Sequence, residues 1–286
     1  MFAHEFMRHA FLAGTFVSLA CGLVGYFVVL RAQVFAGDAL NHVAFTGALA
    51  AAAAGIDIRL GLFAATVGVA AGMGLLGRRA RPDDVVIGSV FAWILGLGVL
   101  FLSIFIASSS GANSTAAVRV LFGSILGLSA ADARLAAAIA LFAIVALLVM
   151  ARPLLFSSLD PEVARSLGVP VRGIGIAFLM LLGLISAEGT QAIGALLLLG
   201  LIAAPGAAAR LLTDRPWRGL ALSGAIAVGS MWLGLTLSYE VASLPASTAV
   251  IGVAAFSYVA AGAFDFLRRR GNWSRTSSSI GSLEGL

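Results

Sequence analysis

Nine stretches of this chain, residues 10–30, 34–54, 60–77, 85–107, 130–150, 171–187, 192–212, 219–239 and 248–267, are apolar over about 17 to 25 residues each. That is the length a helix needs to cross a hydrocarbon layer roughly 30 Å thick. Lipid offers no water to bond exposed N–H and C=O groups, so a single crossing segment must satisfy its backbone internally, as a helix does. The expected fold is therefore an all-α polytopic membrane helix bundle with eight or nine transmembrane helices. The Gly- and Ala-rich stretch at 34–55 is the one least suited to cross as a single straight helix. Composition agrees, with 60% hydrophobic and 11% charged residues, against about 25% charged in soluble domains. A soluble α-domain of this size would need charged outer helix faces, and this chain lacks the residues to build them. Residues 1–270 read as one transmembrane domain, and the serine-rich stretch 271–286 as a disordered polar tail.

All 18 basic residues are arginine, and they orient the spans, because cytoplasmic connections collect positive charge. Arg31, the run Arg78-Arg79-Ala80-Arg81, the connection 152–172, the connection 210–218 and Arg268-Arg269-Arg270 alternate along the chain as inside loops. Residues 55–59, 108–129, 188–191 and 240–246 become outside connections. With nine spans, the N-terminus lies outside and the C-terminus inside. Arg59 and Arg119 are the exceptions to the rule, and Glu188, Gln191 and Glu240 read as solvated residues at the outer rim. Small faces such as Gly68-x-x-x-Gly72 are expected to let helices pack closely. The formal charge of +5 is spread over short connections rather than gathered on one face, so nucleic acid is not an expected partner.

The absence of lysine excludes a P-loop, whose lysine contacts the β- and γ-phosphates, so any ATP must be hydrolysed on a separate chain. The single cysteine, Cys21, rules out an internal disulfide and a thiolate metal cluster. No catalytic residues and no permanently bound cofactor are expected.

Two polar segments stand out. Within the connection 152–171, Asp160 precedes Pro161 and Glu162, and Gly168 follows. This is the pattern of a short helix with an N-cap, a proline in the first turn and a terminating glycine. Such a helix either merely joins two spans or docks a soluble partner. In the second span, Asp38 and His42 are four residues apart, which places a carboxylate and an imidazole on one helical face. Their donors suit divalent ions such as zinc or manganese, and such groups are costly in an apolar span unless they serve a polar path. The other reading is a hydrogen-bonded Asp–His pair that locks helices together. His4 and His9 lie near the terminus as lesser metal candidates.

Val29-Leu30-Arg31 followed by Gly37-Asp38-Ala39-Leu40-Asn41-His42 resembles the V-L-R…G-D-A-L-S-H stretch of the zinc/manganese-type permeases of ATP-binding-cassette importers. Further along, Leu121-Phe122-Gly123-Ser124-Ile125-Leu126 resembles that family's L-F-G-S-I-L. Asp160-Pro161-Glu162 with Ala164 and Leu167-Gly168-Val169 resembles its cytoplasmic coupling segment. The stretch from Ile193-Gly194-Ala195-Leu196-Leu197 through Pro205 to Ala209-Arg210 resembles its V-G-x-L-L…P…A-R helix. Asn41 stands where the family has serine, and the stretch from Ser238 to Pro245 lacks a common aspartate.

The resemblance implies a permease like those of type II importers, homodimeric, in the bacterial inner membrane. It implies a cytoplasmic ATP-binding-cassette ATPase docked on Asp160, Pro161, Glu162, Ala164 and Gly168, and an extracytoplasmic metal-binding protein that delivers zinc or manganese to Asp38 and His42. A permease for a metal chelate of the haem, siderophore or cobalamin type would need no ligating pair. An ion-gradient-driven secondary transporter would need more carboxylates at mid-membrane and no ATPase.

Overall fold

In a computed structural model of the chain, the residues described are 5–76, 84–107, 123, 125–241 and 243–281. Arg78, Arg79 and Arg81, as well as His4, Arg119, Leu121, Phe122 and Ser124, lie outside them. The described chain is helical without strands: α1 (Glu5–Leu30), α2 (Val34–Ala53), α3 (Ile58–Leu76), α4 (Asp84–Ala107), a 3-10 turn (Ile125–Gly127), α5 (Ala130–Leu159), α6 (Pro161–Ser166), α7 (Val171–Ile193), α8 (Ala195–Leu212), α9 (Pro216–Glu240) and α10 (Ala246–Gly281). Each of the nine expected apolar segments corresponds to one long helix, although residues 192 and 193 of the seventh segment belong to the end of α7. Seven of them are long and apolar enough to cross a membrane. The other two are α2, interrupted by Asp38, Asn41 and His42, and α8, apolar over Leu197–Leu212. The last helix runs on to Gly281, into the serine-rich stretch read from the sequence as a tail.

Helix α1 is the hub, and α5, α7, α8 and α9 pack around it. Its Cys21, Val24, Phe27 and Val28 are fully buried. On one side α10 closes over α8 and α9. On the other, α2 packs on α3 and α4 and reaches the hub side of the bundle through α7 and α8. Helix α4 is peripheral, and its Trp93, Val99 and Leu100 are exposed as a lipid-facing surface requires.

The hub works because α1 and α8 come within backbone contact. A Cβ added to Gly25 would overlap the Ile202 carbonyl oxygen, and one added to Gly206 would lie 2.6 Å from the Gly25 carbonyl oxygen. In lipid, where apolar side chains gain little by leaving the solvent, such close van der Waals approach holds helices together. The expected Gly68–Gly72 face does not do this, for nothing lies within 4 Å of a Cβ at either position. Helix α3 packs instead through Leu62, Thr66, Ala70 and Met73, which share another face.

Contacts between helix ends test the arginine map. Arg31 Nη1 donates to Ser158 Oγ at 3.2 Å, Arg172 Nη2 to the Leu75 carbonyl at 3.1 Å, and Arg210 Nη1 to the Val29 carbonyl at 3.3 Å. These gather the ends assigned to the inside. At the opposite ends, Arg59 Nη1 meets Asp132 Oδ1 at 3.0 Å and Arg59 Nε donates to Gln191 Oε1 at 3.0 Å. The exception at Arg59 thus has a physical reason: its charge is paired with a carboxylate at the outer end of α5.

The α1–α8 crossing yields the first prediction. The purified full chain carrying Gly25→Ala should unfold at lower temperature or denaturant concentration, with a loss of about 1–3 kcal/mol. Gly68→Ala should change stability by no more than about 0.5–1 kcal/mol, in the stabilising direction. Equal stability of the two variants would show that the crossing is not close.

Candidate functional site

Asp38 and His42 are set in place by a very short connection. Residues 31–33 join α1 to α2, with Ala32 in the left-handed region at φ 54°. Its N–H bonds the Val29 carbonyl at 3.2 Å, and the Gln33 N–H bonds that of Val28 at 2.8 Å. This closes the end of α1 in a capping turn that usually carries glycine. A side chain at this φ is strained by roughly 1–2 kcal/mol, offset by the anchoring of its neighbour. Arg31 is only 4% exposed. Its Nε donates to Gln33 Oε1 at 3.2 Å, its Nη1 donates to Ser158, and its guanidinium lies 5.5 Å from the Phe178 ring centroid. The start of α2 is therefore tied to the far end of α5 and to α7.

From this anchor, Asp38 and His42 lie about 6 and 12 Å along the axis of α2, at about 1.5 Å per residue. They share a face, as the spacing predicts. Asp38 Oδ1 and His42 Nε2 are 3.9 Å apart, beyond hydrogen-bond reach, so the two do not satisfy one another as a locked pair would. Their side chains are 30% and 17% exposed respectively. The His42 ring meets the Phe91 ring of α4 edge-on, with centroids 5.1 Å apart and planes at 75°. Between α2 and α4 an open recess of about 300 Å³ is lined by Phe35, Asp38, Ile87, Gly88 and Phe91. One wall is the carboxylate, and the others are apolar or glycine. In the same turn Asn41 is fully buried, and neither its Oδ1 nor its Nδ2 has a partner among the described residues. One turn of an otherwise apolar helix thus carries an acid, an amide and an imidazole, one of which is left without hydrogen bonds.

Asp38 and His42 together supply one carboxylate and one imidazole. No group of three or more His, Cys, Asp or Glu side chains that could hold a metal exists among the described residues. A single copy of the chain thus offers an incomplete coordination shell at this recess.

The short capped helix that the sequence predicts after Asp160 is present. Asp160 Oδ1 accepts from the Glu162 and Val163 N–H groups at 3.1 and 3.0 Å, Pro161 opens α6, and Gly168 takes φ +80° just after the helix ends. Ala164 is buried, with its carbonyl accepting from the Val169 N–H at 3.0 Å. Leu159, Val163 and Leu167, spaced at four residues, are exposed, as is Glu162. Thirty residues of α5 extend about 45 Å, and its last turn meets the inner end of α1 where Arg31 bonds Ser158, so α6 begins at the inner ends of the bundle.

One expectation is corrected. Glu188 is 3% exposed rather than a solvated rim residue. Helix α7 continues through it to Ile193, and the break falls at Gly194, with φ 99° and ψ 148°, a conformation that favours glycine. Gly189 lets Leu198 approach to 2.5 Å of where a Cβ would stand, which holds this turn in the core. Glu188 faces a narrow gap among Val17, Ala20, Ala140 and Leu184, and its Oε2 has no partner among the described residues. Gly194 as the first strong breaker after the run of α7 was the available signal. Glu240 is exposed, as expected.

Comparison with known proteins brings these segments together. The model of a family described as the ABC 3 transport family matches residues 3–265. The manganese transport system membrane protein MntC of Halalkalibacterium halodurans is 29% identical over 248 residues, covering 85% of this chain and 82% of that one. The chelated iron transport system membrane protein YfeD of Yersinia pestis is 27% identical, covering 91% and 86%. Among solved structures, PsaBC from Streptococcus pneumoniae in complex with Fab superimposes with a TM-score of 0.78 at 23% identity, covering 90% of this chain and 91% of that chain.

Proposed function

Because the chain belongs to the ABC 3 transport family, we propose that it is the membrane-spanning permease subunit of an ATP-driven importer of a divalent transition metal ion. The observation that carries this reading is the Asp38–His42 pair. Both side chains sit on one face of α2, Asp38 lining an open recess and His42 packed on the Phe91 ring that walls it, 3.9 Å from each other and so not hydrogen-bonded together. Carboxylate oxygen and imidazole nitrogen are the donor set of zinc and manganese sites. A relative named for manganese transport favours manganese, and one named for chelated iron keeps iron within the same chemical class.

Two donors do not complete a shell of four or six. A second copy of the chain would add another Asp38 and His42, giving four oxygen and nitrogen donors around one ion, which is the reason for proposing a homodimer. Shared ligands on two moving halves also keep the site from holding the ion as tightly as a structural metal site, and transit needs that weakness. Without a lysine the chain has no P-loop, so ATP hydrolysis belongs to a cytoplasmic ATP-binding-cassette ATPase. The short helix α6 at the inner ends of the bundle, with Leu159, Val163 and Leu167 exposed beside Glu162, is the docking surface for it. An extracytoplasmic metal-binding protein would present the ion at the other face.

With the permease and its ATPase reconstituted in vesicles, Asp38→Asn and His42→Ala should each lower manganese uptake by about tenfold or more while the complex still assembles. Uptake equal to wild type in both variants would sink the transit site, and lost assembly would favour a structural pair. Docking has its own check. Glu162→Lys should reduce co-purification of the ATPase without changing the thermal stability of the permease, and a complex that also survives deletion of residues 159–168 would show that docking lies elsewhere.

A further inference from the structure

The inner ends of α8, α9 and α10 enclose an open recess of about 570 Å³ that the transport reading does not use. Arg210, Arg215, Arg218 and Arg268 line it against Asp214 and Asp265, so its charge is positive. All four arginines are exposed, and among the described residues Arg215, Arg218 and Arg268 form no ion pair. Exposed and, among the described residues, without an ion pair, these three contribute little to the fold, yet α9 and α10 converge to hold them around one space.

The depth of the recess is fixed by its neighbours. Arg210 bonds the Val29 carbonyl at the inner end of α1. Arg268 ends the apolar stretch Ala246–Arg268, and α9 enters the bundle just after Arg215. The guanidinium groups therefore stand at the boundary between hydrocarbon and cytoplasm. Trp217, Phe264 and Leu267 flank them and are exposed, which puts an amphipathic indole and two apolar side chains at head-group level and just below it. Guanidinium forks pair two N–H groups with the oxygens of a phosphate, and basic recesses between helices on the cytoplasmic side suit anionic head groups.

The geometry points to a binding site for the phosphate of an anionic phospholipid in the inner leaflet, with its acyl chains against Phe264 and Leu267. A free phosphate would use the same guanidinium chemistry, but it would leave that apolar flank without a role. The proposed docking helix α6 does not line the recess, so the docking reading makes no use of it.

The test uses the purified full chain in mild detergent, with bound lipid counted by native mass spectrometry after titration with phosphatidylglycerol or phosphatidylcholine. Phosphatidylglycerol should be retained in preference to phosphatidylcholine. Each of R218Q and R268Q should weaken its binding about fivefold, as expected for one arginine near an anionic surface, and the double variant should abolish the preference. R134Q, an exposed arginine at the opposite end of α5, should bind as wild type does. Equal retention of both lipids, or a double variant that keeps the preference, would overturn the site. Inorganic phosphate that displaces the lipid at equimolar concentration would assign the recess to a soluble anion and overturn the lipid reading. Variants that lose the ATPase but keep the lipid would do the same in favour of a protein partner.

Discussion

Placing polar side chains inside an apolar bundle is costly, and that cost decides where function can sit in this protein. Most of the chain avoids it. Hub helix α1 is packed on four sides with small and apolar residues, and it meets α8 backbone to backbone at Gly25 and Gly206. Helix α2 does not avoid it. Asp38, Asn41 and His42 occupy one turn, Asn41 lacks partners among the described residues, and Asp38 and His42 stop short of bonding each other. A turn that only held helices together would satisfy its own polar groups. This one leaves the Asp38 carboxylate in a recess and the His42 ring edge-on to the Phe91 wall, an arrangement that suits the proposed passage of a cation.

The fixed parts of the structure serve that turn. Arg31, almost wholly buried, joins the start of α2 to Ser158, two residues before the N-cap of α6, and lies over Phe178 of α7. A short chain of contacts therefore runs from the proposed docking helix, through the end of α5 and the strained turn at Ala32, to Asp38. The recess lies between α2 and the peripheral α4 rather than in the hub, so its walls can shift without breaking the α1–α8 crossing.

Much of this was legible in the sequence because lipid imposes a strict length and polarity rule. Nine apolar segments became nine long helices, the arginines marked one end of the bundle, and the Asp160-Pro161 cap formed as its residue types dictate. The i, i+4 spacing placed Asp38 and His42 on one face, but it could not say whether they bond each other, because that depends on rotamers set by Phe91 on α4. Glu188 was misplaced because Gly189 resembles a turn residue, whereas tertiary packing by Leu198 keeps it helical and the break waits for Gly194. Gly68 and Gly72 have the spacing of a packing face but point away from the neighbours of α3, which depends on helix rotation and not on sequence spacing. The recess of arginines at the ends of α8, α9 and α10 joins residues more than fifty positions apart, and no local pattern announces it.

The most direct measurement is the position of the ion itself. Crystals of the permease assembled with its ATPase, grown with manganese and measured at the manganese absorption edge, should show one anomalous peak within about 2.5 Å of an Asp38 carboxylate oxygen and a His42 ring nitrogen, shared between two copies of the chain. A peak elsewhere in the membrane region, with Asp38 and His42 out of coordination range, would contradict the account.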